Sequence, residues 1–210
     1  MNWNKILKTN YQRKCYITQD DDSTYTFKNI RDFSWSSEWQ DQEQHWITET
    51  FHVDDIKKVY FLYAPFGPKN MIAHSMVSFH FADWRDICLS VEAPLYQWEN
   101  YSLLKALFGS YDIMYIWGTQ HDHVSLRTEL RNESVQKYLL DISQKHAIEL
   151  FVALIETTQK VVNKKTPYNL IWNNCMTSIW QIASTRFNLP RWNIALLFAR
   201  FTPNFLHKLD

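Results

Sequence analysis

Alternating apolar and polar residues predict a β-hairpin between residues 74 and 92. Successive side chains of a strand point to opposite faces, so residues two apart in sequence share a face. One face of the predicted hairpin is mostly apolar and comprises Ser75, Val77, Phe79, Phe81, Ile87, Leu89 and Val91. The other face carries His74, Met76, Ser78, His80, Cys88, Ser90 and Glu92. Because the link over 82–85 closes the hairpin at its far end, His74 and Glu92 should lie near its open end.

Two further segments have the composition of buried strands. The run VYFLYA over 59–64 predicts a strand, and the Pro and Gly residues of 65–68 predict the turn that ends it. The run DIMYIW over 112–117 predicts another strand, followed by a polar stretch over 118–127. With the hairpin, these strands would form an antiparallel sheet.

Helical spacing of apolar residues predicts the helices. Residues 101–108 suggest a short helix, and Ser143 is placed to cap a long one. The apolar side of that long helix consists of Ala147, Ile148, Leu150, Phe151, Leu154 and Ile155. A further helix should begin near Cys175 and end before Pro190, and the apolar tail over 192–210 favours a packed helix over membrane contact. We therefore predict an α+β fold with an antiparallel sheet packed against helices.

Composition and charge exclude several classes of function. The chain has 22 Lys and Arg against 22 Asp and Glu, so no net charge favours nucleic acid as a partner, and any peripheral membrane contact would be local. Ten Trp, 11 Tyr and 13 Phe beside only three Gly indicate a folded chain without a glycine-rich phosphate loop. No dinucleotide or nucleotide motif is present, and no cofactor is expected.

The 210 residues show no repeat, linker or low-complexity segment. We predict a single domain over 1–210, with an N-terminal extension over about 1–25. The N-terminal stretch MNWNKILKTNYQRKCYITQDDD has no apolar run of signal-peptide length. No window approaches the roughly 20 apolar residues of a transmembrane helix. Neither an export signal nor a membrane span is therefore predicted.

Metal binding is not predicted from the candidate ligands. The three cysteines, Cys15, Cys88 and Cys175, lack the paired spacing of a zinc site and cannot all pair with one another. His121-Asp122-His123 offers competent ligand types, but these neighbours supply only part of a coordination shell and no HExxH partner accompanies them. Cys88 lies within a strand pattern and Cys15 in a polar segment, which leaves Cys175 as the cysteine placed for chemistry.

Cys175 follows two asparagines where the stretch YNLIWNNCMT passes into a helical pattern. A helix N-terminus lowers the pKa of a thiol, because its N–H groups and dipole stabilise negative charge. Asn173 or Asn174 could cap that helix. A thiol nucleophile also needs a base held by a third group, and His74 with Glu92 fits those roles. The alternative is that Cys175 is a small buried apolar residue, as most free cysteines are.

The order of these motifs resembles a known family. The motifs are His74-Ser-Met-Val-Ser-Phe-His-Phe81, Leu89-Ser90-Val91-Glu92, Gly118-Thr119 through Asp122 to Arg127, and Tyr168-Asn169 to Asn173-Asn174-Cys175. Together they resemble the family named for the N-terminal periplasmic domain of the bacterial lipoprotein N-acyltransferase Lnb. The resemblance begins near 30–33 and runs into the tail. It implies a circularly permuted papain-like fold of the NlpC superfamily, in which the histidine strand precedes the cysteine helix.

The resemblance also implies roles for individual residues. Cys175 would be the nucleophile, His74 the base and Glu92 the orienting group. Residues implied to support the site or bind substrate are Asn174, Ser90 and Arg127. The chain departs from the family pattern at Pro94, where a basic residue is usual, and at Met176, where threonine is usual.

The function implied is that of a cysteine-dependent acyltransferase or hydrolase with a covalent acyl-enzyme at Cys175. Its substrates would be an acyl lipid, a lipoprotein or a peptide, and its location the periplasmic side of the bacterial envelope. Two alternatives stay open. The wider superfamily implies a cell-wall cysteine peptidase or amidase, and the departures at Pro94 and Met176 are compatible with a non-catalytic binding module on the same fold.

Overall fold

The fold is built on a β-sheet in a computed structural model that describes residues 6–36, 43–67, 69 and 72–187. In chain order the strands are β1 (Tyr16–Gln19), β2 (Thr24–Ser34), β3 (Glu43–His52), β4 (Ile56–Phe66), β5 (Ile72–Phe81), β6 (Asp86–Glu92), β7 (Tyr111–Asp112), β8 (Met114–Thr119), β9 (Gln136–Leu139) and β10 (Pro167–Tyr168). The sheet has the order β1-β2-β8-β6-β5-β4-β9, and β3 also pairs with β2. Its neighbours run antiparallel except β2 and β8, which are parallel, and β7 pairs with β10 apart from the sheet.

Strands β5 and β6 form the predicted hairpin with the predicted faces. Val77 pairs with Leu89, and both side chains lie in the main hydrophobic core. On the opposite face, Met76 packs against Cys88 in a separate apolar cluster. The link between the strands lies at one end of the hairpin, and the two residues predicted at its open end lie at the other. The alternation of the sequence therefore places the faces of this hairpin correctly.

Helices cover both faces of the sheet. They are α1 (Leu103–Leu107), α2 (Gln120–Ser125), which a π-helical turn over Leu126–Leu130 continues, α3 (Gln144–Val161) and α4 (Cys175–Phe187). Ser143 caps α3 as predicted, because its hydroxyl accepts from the N–H of His146 at 3.2 Å. Side chains of α3 and α4 join the main core, while Val124 of α2 packs on the opposite face beside Met76. The fold is α+β with a sheet packed against helices, as expected.

Aromatic packing forms the centre of the main core. The ring of Phe151, on α3, lies 4.8 Å from Phe79 and 5.8 Å from Phe27, Phe81 and Trp117, measured between ring centroids. These separations fall in the range in which aromatic pairs attract one another. The indole N–H of Trp117 donates to the Thr158 hydroxyl at 3.0 Å, so the largest buried side chain of this core keeps its polar atom paired. The core therefore joins α3 to three strands of the sheet, β2, β5 and β8.

A buried ion pair joins β2 to α2 on the other face. Both Arg31 and Asp122 are fully buried, and the guanidinium donates from Nε at 2.8 Å and from Nη2 at 2.6 Å to the same carboxylate oxygen. The backbone N–H of Phe33 donates to the second oxygen at 2.8 Å. Gly118 on β8 lets β2 and α2 lie close together, because it has no side chain. A Cβ there would lie 2.9 Å from the Arg31 carbonyl oxygen and 2.8 Å from His123 Nε2.

Part of the N-terminal segment, for which an extension over about 1–25 was expected, contributes to the sheet. Strand β1 forms the edge of the sheet, and the nearby Cys15 and Ile17 are buried in the main core. Strands β2 and β3 were not predicted either. β2 changes register between Lys28 and Ile30, and Asn29 has a positive φ of 64°. Such a bulge shifts the alternation by one residue, so no single period of two runs along β2.

The polar stretch over 118–127 is not a loop, because it contains α2. Four of its polar side chains, Asp122, His123, Ser125 and Arg127, are buried. Polar residues at core positions hide the apolar spacing by which a helix is recognised. Pro190 and the tail over 192–210 lie outside the described residues. No helix in the described part of the chain combines the length and the hydropathy needed to cross a bilayer.

Candidate thiol site at the open end of the hairpin

A cavity of about 460 Å³ lies at the open end of the β5–β6 hairpin. Its polar wall includes Cys175, His74, Glu92, Arg127 and Asn174. The remaining wall is largely aromatic and aliphatic, and its members include Tyr63, Phe66, Ile72, Leu95, Tyr101, Tyr168, Leu170, Ile171 and Met176. The fold thus brings the predicted nucleophile, base and orienting group to one mostly apolar cavity, although they are up to 101 positions apart in the chain.

Asn174 caps the helix that begins at Cys175. Its side-chain oxygen accepts from the N–H groups of Met176 at 2.9 Å and Thr177 at 2.8 Å. The Thr177 hydroxyl accepts in return from the N–H of Asn174 at 2.9 Å, which completes a reciprocal cap. Of the two asparagines proposed from the sequence, Asn174 is therefore the cap. Because the cap engages the N–H groups of Met176 and Thr177, these two are not available to a developing oxyanion.

The Cys175 thiol lies against the backbone of β5 on either side of His74. It donates to the carbonyl oxygen of Ala73 at 3.8 Å, and the N–H of Ser75 donates to the sulfur. Burial raises the pKa of the thiol, and the N–H groups of Ser75 and Met176 offset only part of that rise. The expectation that the helix start would lower this pKa is wrong for the resting protein, because desolvation outweighs the helix terminus.

His74, Ser90 and Glu92 form a hydrogen-bonded relay. Nε2 of His74 lies 2.7 Å from the Ser90 hydroxyl oxygen, and that hydroxyl donates to Oε1 of Glu92 at 2.9 Å. Nε2 itself is 3.6 Å from the same carboxylate oxygen. Since Glu92 takes the single proton of Ser90, the serine oxygen can only accept from the ring. This arrangement places the ring proton on Nε2 and leaves the Nδ1 lone pair as the base.

Two further side chains hold the Glu92 carboxylate. The phenol of Tyr11 donates to Oε2 at 3.0 Å, and Nη2 of Arg127 lies 3.5 Å from Oε1. Burial raises the pKa of Glu92, but attraction to the His74 ring, whenever that ring is protonated, and to the guanidinium groups of Arg127 and Arg131 lowers it by more, so the pKa is well below its usual range. Burial, together with the positive charge of Arg127, also holds the pKa of His74 well below its usual range. The resting site therefore contains a neutral thiol, a neutral imidazole and an ionised carboxylate.

The thiol and the ring reach the cavity from opposite faces of the sheet. Cys175 belongs to the main core with Val77, whereas His74 shares its face with Met76. Both line the cavity, which lies near the start of β5. Among the described residues, the hydrogen bonds of the thiol go to backbone groups of β5 and α4 and not to the His74 ring.

A comparison with protein families identifies the chain's relatives. The family model described as the Lnb N-terminal periplasmic domain matches residues 42–202. The chain belongs to this family. The resemblance inferred from the motifs is thereby confirmed, and the periplasmic description of the Lnb family favours the bacterial envelope as the location. Neither a curated protein nor a solved structure matches the chain.

Site residues that sequence reasoning missed are Tyr11 and Arg131. Tyr11 lies before the span matched by the Lnb family model and 81 positions from Glu92, so no local pattern connects the two. Burial raises the pKa of Tyr11 to about 12, which keeps its phenol protonated as a donor. Arg131 follows the π-helical turn, lines the cavity and is exposed. The polar composition of its segment resembles that of an ordinary loop and carried no signal.

The candidate metal ligands of this Lnb-family chain do not converge. His121 is exposed, whereas Asp122 and His123 are buried. The Asp122 carboxylate binds Arg31, and Nδ1 of His123 lies 3.4 Å from Arg31 Nη2. Within the described residues no three His, Cys, Asp or Glu side chains are grouped to hold a metal ion. These residues instead connect α2 to β2.

The raised pKa of Cys175 leads to a prediction about its reactivity. Iodoacetamide should label Cys175 slowly at neutral pH, and the rate should still rise with pH above the ordinary thiol pKa of about 8.5, because only the thiolate reacts. Labelling of this site is followed by mass spectrometry across pH, with glutathione as the reference thiol. His74→Ala should leave the profile nearly unchanged, since the sulfur contacts backbone groups. If the labelling rate of Cys175 stopped rising at a lower pH than that of glutathione, Cys175 would be an activated thiolate. That result would contradict this description.

Proposed function

We propose that this Lnb-family chain is a cysteine-dependent acyltransferase or hydrolase that carries its acyl group as a thioester on Cys175. The observation that supports it most is the shared cavity, in which Cys175 starts a capped helix beside the relay of His74, Ser90 and Glu92. A nucleophile, a base with a defined tautomer and an ionised orienting group are the parts that thiol catalysis requires.

The reaction starts from the neutral pair. Cys175 turns from the Ala73 carbonyl toward the ring, its proton passes to Nδ1 of His74, and the sulfur attacks the acyl carbonyl carbon. The imidazolium formed donates to Ser90, whose hydroxyl donates to Glu92, so the carboxylate stabilises the positive charge through the relay. As the acyl–oxygen bond breaks, the leaving alcohol takes the proton from Nδ1. An amine or water then attacks the thioester, loses its proton to His74 and releases the thiol.

The lining of the cavity supports an acyl substrate. A volume of about 460 Å³ lies within the range of small-molecule sites, and most of the wall is aliphatic or aromatic. An acyl chain gains free energy from such a wall through the apolar surface that it removes from water. Arg131 lines the same cavity, and its guanidinium suits an anionic group such as a lipid phosphate. Cell-wall peptides, which are largely polar, fit this lining less well.

We also propose that the fold is a circularly permuted papain-like fold. Two features support this assignment. The cysteine begins a helix, α4, that packs against an antiparallel part of the sheet. The histidine strand, β5, precedes that helix in the chain. An experimental structure compared with papain-like enzymes would test whether the equivalent elements superpose after permutation.

Substrate incubations test the proposed reaction. The chain is incubated with phospholipid vesicles and an amino-terminal lipopeptide, and separately with muropeptides. Acyl chemistry predicts release of lysophospholipid, a gain in mass by one acyl group on Cys175, and an N-acylated lipopeptide where an amine is the acceptor. Cleavage of the muropeptides with intact lipids would instead identify the peptidase or amidase alternative.

The relay predicts a positioning role for Ser90. Ser90→Ala should lower the rate about tenfold to a hundredfold, because His74 keeps its place but loses the group that selects its tautomer. This loss is smaller than the whole rate acceleration by a general base, which is roughly 10²–10⁴-fold. The acid limb of the pH–rate profile should move to higher pH, since Glu92, 3.6 Å from Nε2, then acts on the ring without the intervening hydroxyl. Ser90→Thr, which keeps a hydroxyl, should retain most activity.

Ser78→Ala is the matched control for Ser90. Ser78 is buried on the same face of the hairpin, and its hydroxyl donates to Gln120 at 3.0 Å, away from the relay. This variant should keep both the rate and the pH profile. Equal losses in the two variants, with both profiles unchanged, would show that the hydroxyl of Ser90 matters only for packing.

A second candidate, a non-catalytic binding module, is favoured by the state of the thiol. Cys175 is bonded to backbone groups and its pKa is raised, as in a structural cysteine. Met176, one of the two departures from the family pattern, packs with Phe61, Tyr63 and Trp180. Binding of acyl lipid that is unaffected by alkylation of Cys175, without turnover, would support this candidate over the enzyme.

A further inference from the structure

Large apolar side chains are exposed around α1. Trp98, Phe108 and Leu104 are 90%, 78% and 68% exposed, and Leu107 and Trp172 are also exposed. We call these five residues the α1 patch. Single exposed apolar residues are common on protein surfaces, but five large ones in two adjoining segments are not.

The helix α1 presents its apolar side outward. Leu104, Leu107 and Phe108 have the i, i+3, i+4 spacing of one helix face, counting the residue that ends the helix. Ala106 is fully buried and lies in the main core. A helix of a soluble protein normally buries its larger apolar residues and exposes its small or polar ones. In α1 this order is reversed for Leu104, Leu107 and Phe108, which are exposed to solvent.

Hydrogen bonds join the parts of the α1 patch into one surface. The side chain of Asn169 donates to the carbonyl oxygen of Leu107 at 2.8 Å, and the N–H of Leu170 donates to that of Ala106 at 3.1 Å. These bonds attach the turn that carries Trp172 to the helix. On the other side, Lys105 pairs with Glu99 at 2.9 Å, which holds the segment of Trp98 against α1.

The α1 patch borders the cavity of the thiol site. Tyr101, between Trp98 and α1, lines the cavity, and so do Leu170 and Ile171 beside Trp172. The same two segments therefore expose apolar side chains to solvent and contribute the cavity wall. An apolar surface runs from the exposed residues to the neighbourhood of Cys175.

We propose that the α1 patch docks on the surface of a lipid bilayer and admits an acyl chain from it to the cavity. The inference rests on the proposed acyl chemistry, because an acyl donor resides in a bilayer and its chain would otherwise cross water to reach Cys175. Trp side chains favour the interface between water and hydrocarbon, and Leu and Phe favour the acyl region beneath it. Arg131 at the cavity places positive charge where lipid phosphates would lie.

Vesicle binding tests the docking surface. The full chain is sedimented with vesicles of phosphatidylcholine and phosphatidylglycerol, and its Trp fluorescence is measured with brominated lipids. The double variant Leu104→Asp/Phe108→Asp should bind at least about tenfold more weakly and lose quenching, because two charges would enter the acyl region. The matched control is Trp84→Asp/Leu139→Asp, at two residues that are 84% and 58% exposed, with Trp84 at the closed end of the hairpin. It should bind like the native chain.

Measurements that need no bilayer separate the docking surface from the proposed acyl chemistry. The patch variant should keep its iodoacetamide profile and its turnover of a water-soluble short-chain thioester, while turnover of vesicle lipid falls. Equal vesicle binding by the patch and control variants, with turnover retained, would overturn the docking surface alone. Patch-dependent binding without turnover of any substrate would overturn the acyl chemistry alone. A change of molar mass in the patch variant, measured by light scattering, would assign the patch to contact between copies and overturn the proposal.

Discussion

Cys175→Ala is expected to lower acyl transfer and hydrolysis by at least about three orders of magnitude, because the thioester cannot form without the sulfur. The residual rate would come from substrate binding alone, since His74 has no nucleophile to deprotonate other than water. The measurement is the release of lysophospholipid from vesicles, together with the mass of the chain after rapid quenching. The native chain should gain one acyl group and the variant none.

The other two cysteines supply matched controls for this loss. Cys15 and Cys88 are buried as Cys175 is, and burial raises the pKa of both thiols. Neither lines the cavity. Cys15→Ala and Cys88→Ala should therefore keep the native rate while losing a little stability through the small cavities they leave. Retention of the rate by Cys175→Ala, or an equal loss in all three variants, would contradict a nucleophilic role for Cys175.

Arg31→Ala is expected to reduce the free energy of unfolding by about 3–5 kcal/mol, the usual cost of removing one partner of a buried ion pair. The Asp122 carboxylate would stay buried without its guanidinium partner, although the N–H of Phe33 would still donate to it at 2.8 Å. The loss should also affect the site, because α2 leads directly into the turn that carries Arg127. Urea unfolding of native and variant chains measures the change.

An exposed ion pair and an apolar double variant serve as controls for Arg31. Lys145 and Glu149 lie 4.0 Å apart on the surface of α3, so Lys145→Ala should change stability by no more than about 0.5 kcal/mol. Arg31→Met/Asp122→Leu should recover much of the loss, because neither charge is then left unpaired. If Arg31→Ala cost less than about 1 kcal/mol, water would have to reach the carboxylate, and the buried pair would not hold α2 in place.

Local periodicity accounts for what could be predicted of the fold. The faces of the β5–β6 hairpin, the long helix capped by Ser143 and the helix start at Cys175 depend on residues within a few positions of one another. Strand β2 was missed because a bulge at Asn29 interrupts its alternation. Helix α2 was missed because buried polar residues replace its apolar stripe. In α2, the contact of Asp122 with Arg31, 91 positions away in the chain, overrides the local signal.

The sequence by itself determined the nature of the candidate site. Cys175 before a helix, His74 and Glu92 on one face of a hairpin, and the order of the motifs were enough to indicate the Lnb family and the residues to examine. These features are local, since a strand alternates and a helix is capped by its own residues.

Tertiary structure alone decided how those residues are connected and charged. The Ser90 relay requires two strands in register, the Tyr11 contact spans 81 positions, and the orientation of the thiol toward the Ala73 carbonyl depends on how α4 packs against β5. The pKa of Cys175 is raised, where the sequence predicted that it would be lowered, for the same reason. A helix start lowers it through local dipoles, but the surrounding fold removes water, and desolvation is a property of all the neighbours together.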